Sequence, residues 1–359
     1  MSELKPLLRR SSVWVAAAIA GGVALTLLSP LPAKATMPRC THNEVCGLKN
    51  AEDFVRVPGS RWAIASRLAR DPAAPGGFSL VDLENRTARL LTPDFSGHAS
   101  AEYAGCPGAL MASELITHGL DIRRRPDGAS ELFAVNHGGR ESIEVFAIRR
   151  SRNGPQLRWE GCVLLPTEVS GNAVAALPHG LVVTSFGGSG PGGLAELLAG
   201  RPSGFVAEWT PHEGWAHVAG SAFGGDNGVA ASPDGETLYV NDWNDGTLRV
   251  LSLHKGIAPI SIRLGGFHPD NLHWLPDGRL LIAGQKGMAR DDIACVSHEA
   301  CAVGSMIVIV DPRSREVTMH WAVPPTSTFA AASTALLYRS AYWASSFRGD
   351  RVVRLGRAP

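Results

Sequence analysis

The sequence predicts an all-β chain folded as a six-bladed β-propeller, and three observations carry the prediction. First, a short unit recurs six times: a polar residue, an apolar alternation, a turn, then a second apolar run. The copies read EDFVRVPG from Glu52, HGLDIRRRPDG from His118, GNAVAALPHG around Asn172, NGVAASPDG from Asn227, DNLHWLPDG from Asp270 and STALLYRSAYW from Ser333. Second, the spacing is regular. The starts lie roughly 45–65 residues apart, the length of one four-stranded blade. The turn proline falls six residues after Glu52, Asn172, Asn227 and Asp270, and eight after His118; the last copy lacks it. Third, 40 glycines and 24 prolines in 359 residues suit many short strands joined by tight turns.

Before the first repeat the chain has a different character. Lys5, Arg9 and Arg10 precede an apolar run over 13–28, a Ser-Pro-Leu-Pro break and a small-x-small site at Ala33-Lys34-Ala35. That order is a secretory signal, with an uncleaved membrane anchor as the alternative. The expected organisation is therefore a signal or anchor over 1–35, an extension over 36–50 and the propeller over 51–359. Either reading exports the remainder, to the periplasm or the medium, with membrane attachment through the N-terminal segment in the anchor case.

Period-two apolar alternation marks strands at 62–66, 78–82, 132–135, 143–148, 181–185, 237–240, 248–253, 280–283, 306–310 and 352–355, each bounded by Gly, Pro, Asn or Asp. No long amphipathic helix is expected. One helical turn over 194–198 sits in a Gly-rich insertion, 187–202, which is expected to lie over the channel mouth. The insertion lacks the Gly-Lys-Ser/Thr ending of a phosphate loop.

Charge excludes one class of partner. With 34 basic and 33 acidic residues the net charge is +1, which leaves no electrostatic footprint for nucleic acid. Six cysteines in an exported chain favour disulfides. The simplest pairing joins Cys40 to Cys46 and Cys295 to Cys301, leaving Cys106 and Cys162 for each other. It is one of about fifteen connectivities for six cysteines.

Because the innermost strand of each blade begins at the axis, the repeat starts converge in space. Glu52, Asn172, Asn227, Asp270 and Asn271 are expected to ring one end of the channel. A lone asparagine in such a place usually fixes a turn, but three of them joined by two carboxylates make an all-oxygen set suited to calcium. His118 starts the second repeat and His137 ends the next strand of the same hairpin, so the two rings should meet. Paired histidines beside a cation suit general-base work on water, with a scaffold role as the alternative. Neither a G-x-S-x-G nucleophile elbow nor an H-E-x-x-H zinc motif is present.

The stretch THGLDIRRRPDGASELFAVNHGGRESIEVFAI, 117–148, resembles the PHGIS…VVNHP…VEIF segment of the paraoxonase/arylesterase family. The segments AEDFVRVPG, DNGVAASPDGETLYVND, HPDNLHWLPDGRLLIAG and ASTALLYR resemble further blades of that family in the same order, collinear from Glu52 to the end. Gluconolactonases and strictosidine synthase-like propellers are wider relatives. The resemblance implies a six-bladed propeller with two calcium ions in its channel, hydrolysing lactones and aryl esters. It implies a catalytic calcium on Glu52, Asn172, Asn227, Asp270 and Asn271, with His118 and His137 as the catalytic pair. It also implies a second, structural calcium on Asp53 and the backbone carbonyl of Leu120. There the chain departs from the family: an aspartate expected after Asn172 is Ala173, which leaves the second site weak or empty. The cysteine with which animal members staple the last blade to the first is also missing.

The leading expectation is a calcium-dependent lactonase/arylesterase acting on small apolar lactones or esters. Trp243, Phe223, Phe267 and Phe329 stand near the ligand ring in sequence, as pocket walls or as blade core. A non-enzymatic propeller binding a ligand or an envelope protein would need neither the ligand set nor both histidines. A sugar lactonase of the gluconolactonase type would not rely on the histidine pair.

Overall fold

The computed structural model describes residues 39–69, 76–187, 193–254, 256–297 and 301–356. The expected signal or anchor, 1–35, lies outside them. Six antiparallel four-stranded sheets form the blades of a β-propeller. Their innermost strands are Phe54–Arg56, Thr117–Arg124, Gly171–Leu177, Asp226–Ala231, His268–Trp274 and Ala332–Tyr338. Each innermost strand contacts the next, and the sixth contacts the first, so the ring closes.

All ten strands read from apolar alternation are present. The strands that neither these alternations nor the repeats marked are mostly the outermost of each blade. Thr87–Leu91 and Gly214–His217, for instance, lie largely exposed, where no apolar side of the strand has to be buried. The core is a ring of layers between neighbouring blades. Between blades one and two, Ile64, Phe78 and Leu80 pack on Leu120, Leu132, Phe146 and Trp159. Between blades six and one, Leu336, Trp343 and Val352 pack on Phe54, Ala63 and Val81. Each such fully buried side chain contributes roughly 1.5–3 kcal/mol.

Residues 40–50 are not an extension outside the propeller. Glu44–Cys46 pairs with Arg351–Gly356 as the outermost strand of blade six, and Val45 is fully buried there. An ion pair from Arg351 to Glu44 at 3.2 Å fixes the same join. The two ends of the propeller chain thus close the ring by hydrogen bonding. The three bridges of the simplest pairing are present: Cys40–Cys46, Cys106–Cys162 and Cys295–Cys301.

Two helices stand outside the blades. Gly193–Leu198 is the expected turn in the insertion, and its Leu197 is buried. Ala289–Ser297 was not expected, because its sequence has only a weak apolar side. Among the described residues no helix is long and apolar enough to cross a membrane.

Candidate active site on the propeller axis

Five of the six innermost strands break register where their repeat begins. The shifts fall between Thr117 and Leu120, Gly171 and Val174, Asp226 and Val229, Pro269 and Leu272, and Ala332 and Thr334. A bulge leaves its residues out of the ladder and re-aims their side chains. The residues in these breaks include His118, Asn172, Asn227, Asp270, Asn271 and Ser333. Glycines 119 and 228 sit in two of the breaks because neighbouring strands approach too closely for a Cβ. A Cβ on Gly119 would stand 2.5 Å from the carbonyl oxygen of Asn172.

The expected ring is assembled. Asn172 Nδ2 donates to Asn227 Oδ1 at 2.6 Å, and Asn271 Nδ2 donates to Glu52 Oε1 at 2.6 Å. Gln285 Nε2 donates to Asp270 Oδ2 at 2.6 Å. The sixth repeat joins through Ser333, whose hydroxyl donates to the Glu52 carbonyl oxygen at 2.6 Å. All of these side chains are buried. Glu52 Oε2 is buried and has no hydrogen-bond partner. Burial raises the Glu52 carboxyl well above its ordinary range, and Asp270 and Asp53 add to the rise. Burial likewise pushes Asp270 up to about 8 despite its bond from Gln285.

Calcium fits this donor set. Two carboxylates and three carboxamides supply hard oxygen ligands, and one carboxylate oxygen, Glu52 Oε2, is buried with no partner. By contrast, the cluster Cys40, Glu44 and Cys46 is no metal site, because its two thiols form a disulfide.

His118 and His137 meet as the hairpin predicts, with Nδ1 of the first 2.9 Å from Nε2 of the second. A third member was not foreseen. His137 Nδ1 lies 2.8 Å from Glu141 Oε1. Glu141 follows the hairpin turn, and only its place four residues beyond His137 could have hinted at it. His118 Nε2 points the other way, 3.6 Å from the unpartnered Glu52 Oε2. Burial lowers the His118 pKa to about 3, helped by the neighbouring His137.

Glu52, His118, Asn172, Asn227, Asp270 and Gln285 line a cavity of ≈ 620 Å³ whose other walls are mostly apolar: Leu68, Phe186, Trp243, Ile293, Val296 and Phe347, with Asp292 among them. Of the four aromatics weighed from the sequence, only Trp243 lines it. Phe223, Phe267 and Phe329 are buried in the layers between blades. Trp243 is oriented by its indole N–H, which donates to Gln285 Oε1 at 2.9 Å. Ile293 and Val296 come from the unexpected helix, which the Cys295–Cys301 bridge and a 2.7 Å bond from Arg348 to the Cys295 carbonyl oxygen tie down.

The proposed second calcium site is arranged differently. It is the Leu120 backbone N–H that faces Asp53, donating to Asp53 Oδ2 at 2.7 Å. Asp53 Oδ1 accepts from Phe54 N at 2.7 Å and from His273 Nε2 at 2.8 Å. His273 had no role in the sequence reading.

No protein-family model and no curated protein sequence matches this chain. Solved structures do. One is a putative gluconolactonase, 14% identical, covering 87% of this chain and 91% of its own, with a TM-score of 0.51. Another is a gluconolactonase from Xanthomonas campestris, 15% identical, covering 88% of both chains, also at 0.51. The chain is similar in fold to gluconolactonase propellers. At these identities the likeness concerns the six-bladed architecture and leaves the chemistry to the site itself.

Proposed function

We propose that this protein is an exported, calcium-dependent hydrolase of lactones and aryl esters, of the paraoxonase/arylesterase type. The observation that carries the reading is the relay Glu141–His137–His118, which ends beside an oxygen ring with an unpartnered carboxylate oxygen. Glu52, Asn172, Asn227, Asp270 and Asn271 would hold the cation. When bound, calcium supplies a Lewis acid that polarises the ester carbonyl and a charge that stabilises the developing oxyanion.

The protein's own part is proton transfer, and the relay fixes the tautomers. A carboxylate only accepts, so Glu141 holds the proton on His137 Nδ1 and leaves His137 Nε2 as an acceptor. His118 Nδ1–H donates to it, which leaves the lone pair on His118 Nε2, the nitrogen facing the ring. Burial keeps that imidazole neutral at neutral pH, as a base must be. His118 Nε2 takes a proton from the water whose oxygen bonds to the acyl carbon. As the acyl carbon–oxygen bond breaks, the proton returns to the leaving alkoxide, giving acid and alcohol. Glu141 steadies the positive charge while it resides on the pair.

The apolar walls support an apolar acyl or aryl group as substrate. A sugar lactone is the second reading, supported by the fold likeness to gluconolactonases. Three disulfides support an oxidising compartment, and with it the export read from the N-terminus. The test is hydrolysis of aryl esters, aliphatic lactones and a sugar lactone, each with calcium or with chelator. Expected is calcium-dependent hydrolysis of the apolar substrates that falls about 10²–10⁴-fold in His118→Gln. Turnover of the sugar lactone alone, indifferent to His118→Gln, would establish the second reading. No turnover of any substrate would point to a binding propeller.

A further inference from the structure

Three residues past each repeat start, the innermost strands place Val55, Asp121, Ala175, Ala230, His273 and Leu336 on the same level. Four of these are apolar. Only blades two and five depart, with Asp121 and His273, which line a second cavity of ≈ 270 Å³ distinct from the one floored by the Glu52 ring. In that region every carboxylate oxygen of Asp53 and Asp121 already accepts at least one N–H. Asp53 Oδ1 takes Phe54 N and His273 Nε2, and Asp53 Oδ2 takes Leu120 N. Asp121 Oδ1 takes Ile122 N at 2.7 Å, and its Oδ2 takes Ala176 N at 2.8 Å. Ala173 is buried in the apolar layer between blades three and four and offers no ligand. Donors therefore stand where a cation would need acceptors.

We propose that His273 takes the place of a second cation in this propeller: its ring N–H occupies the Asp53 carboxylate, so the chain binds one calcium, at the Glu52 ring, and none at Asp53 and Leu120. The inference rests on the reading that the Glu52 ring binds calcium. It also predicts that restoring the carboxylate at 173 is not enough, because the histidine must leave as well.

The test is calcium stoichiometry in the full-length protein stripped with chelator, by calorimetric titration and by metal analysis after gel filtration. One equivalent per chain, lost in Glu52→Gln and kept in Asp53→Asn, is expected. Two equivalents in the unaltered protein would overturn the inference while leaving the Glu52 ring intact as a site. One equivalent that survives Glu52→Gln but is lost in Asp53→Asn would overturn it too. No equivalent at all would sink the calcium reading of the ring, and this inference with it. Ala173→Asp should still bind one, whereas Ala173→Asp combined with His273→Ser should bind two. A double variant that melts cooperatively yet takes one equivalent would show that His273 is not what fills the place. If the double variant fails to fold, the counts on the unaltered protein and the two single carboxylate variants decide.

Discussion

Glu52 and Asp53 are neighbours in sequence and equally buried, at 2% exposure each, yet their carboxylates are in opposite circumstances. Glu52 receives one side-chain donor and has an oxygen with no partner, beside a second buried carboxylate, Asp270. Asp53 receives three N–H groups, two from backbone and one from His273. Burying a carboxylate is costly unless hydrogen bonds or an opposite charge compensate it. The Asp53 level is compensated by the protein itself, while at the Glu52 level one oxygen is left without a partner, which is what the proposed cation would supply. The pair separates a carboxylate satisfied within the fold from one that is not more sharply than burial or residue type could.

The sharpest way to break that comparison is to neutralise each partner. Glu52→Gln should abolish calcium binding and cut hydrolysis about 10²–10³-fold or more, while the chelated variant melts above the chelated parent, having lost an uncompensated charge. Asp53→Asn should do the reverse. Its stability should fall by about 1–3 kcal/mol, because buried donors lose their acceptor, with calcium affinity little changed. Chemical denaturation and calorimetric titration read both. If the two variants behaved alike, the distinction would fail.

A second expectation separates the relay from the ring. His118→Gln should lower kcat about 10²–10⁴-fold with calcium affinity unchanged. Glu141→Gln, which touches only His137, should cost less, on the order of tenfold, and should shift the pH profile of kcat because it alters the tautomer that Glu141 enforces. A Glu141→Gln profile that overlays the parent's would remove Glu141 from the relay.

A further expectation concerns the pH dependence of stability without calcium. Asp270 has a folded-state pKa of about 8 against an ordinary 3.8, and Glu52 is raised too. A carboxyl raised on folding contributes stability that is complete below its unfolded pKa and is lost as pH rises through the folded one. The chelated protein should therefore melt at lower temperature as pH climbs from about 4 to about 8, and saturating calcium should flatten the trend. Parallel curves with and without calcium would contradict the cation reading.

The repetition that betrayed the propeller also placed most of the site. A residue at the start of an innermost strand has to reach the axis, so Glu52, His118, Asn172, Asn227 and Asp270 could be named together without knowing any contact. Asp53 was placed at the same end of its blade, but its partner His273 could not be seen in the sequence. The aromatics Phe223, Phe267 and Phe329 are as near the ring in sequence as Trp243. Strand phase, which fixes whether a ring points into a layer or into the channel, was not resolved by their spacing.

By itself, then, the sequence determined the blade number, the strand order and the convergence of the repeat starts, because each is written in local periodicity and spacing. Only the tertiary structure decided which atoms meet. Asn271 reaches Glu52 across 219 residues, and His273 reaches Asp53 across 220. Glu44–Cys46 completes a blade whose other strands begin at Ala332. The helix Ala289–Ser297 becomes a pocket wall through one bridge and one arginine. Such pairings depend on closing the ring, and closure brings together residues whose own neighbourhoods carry no sign of one another.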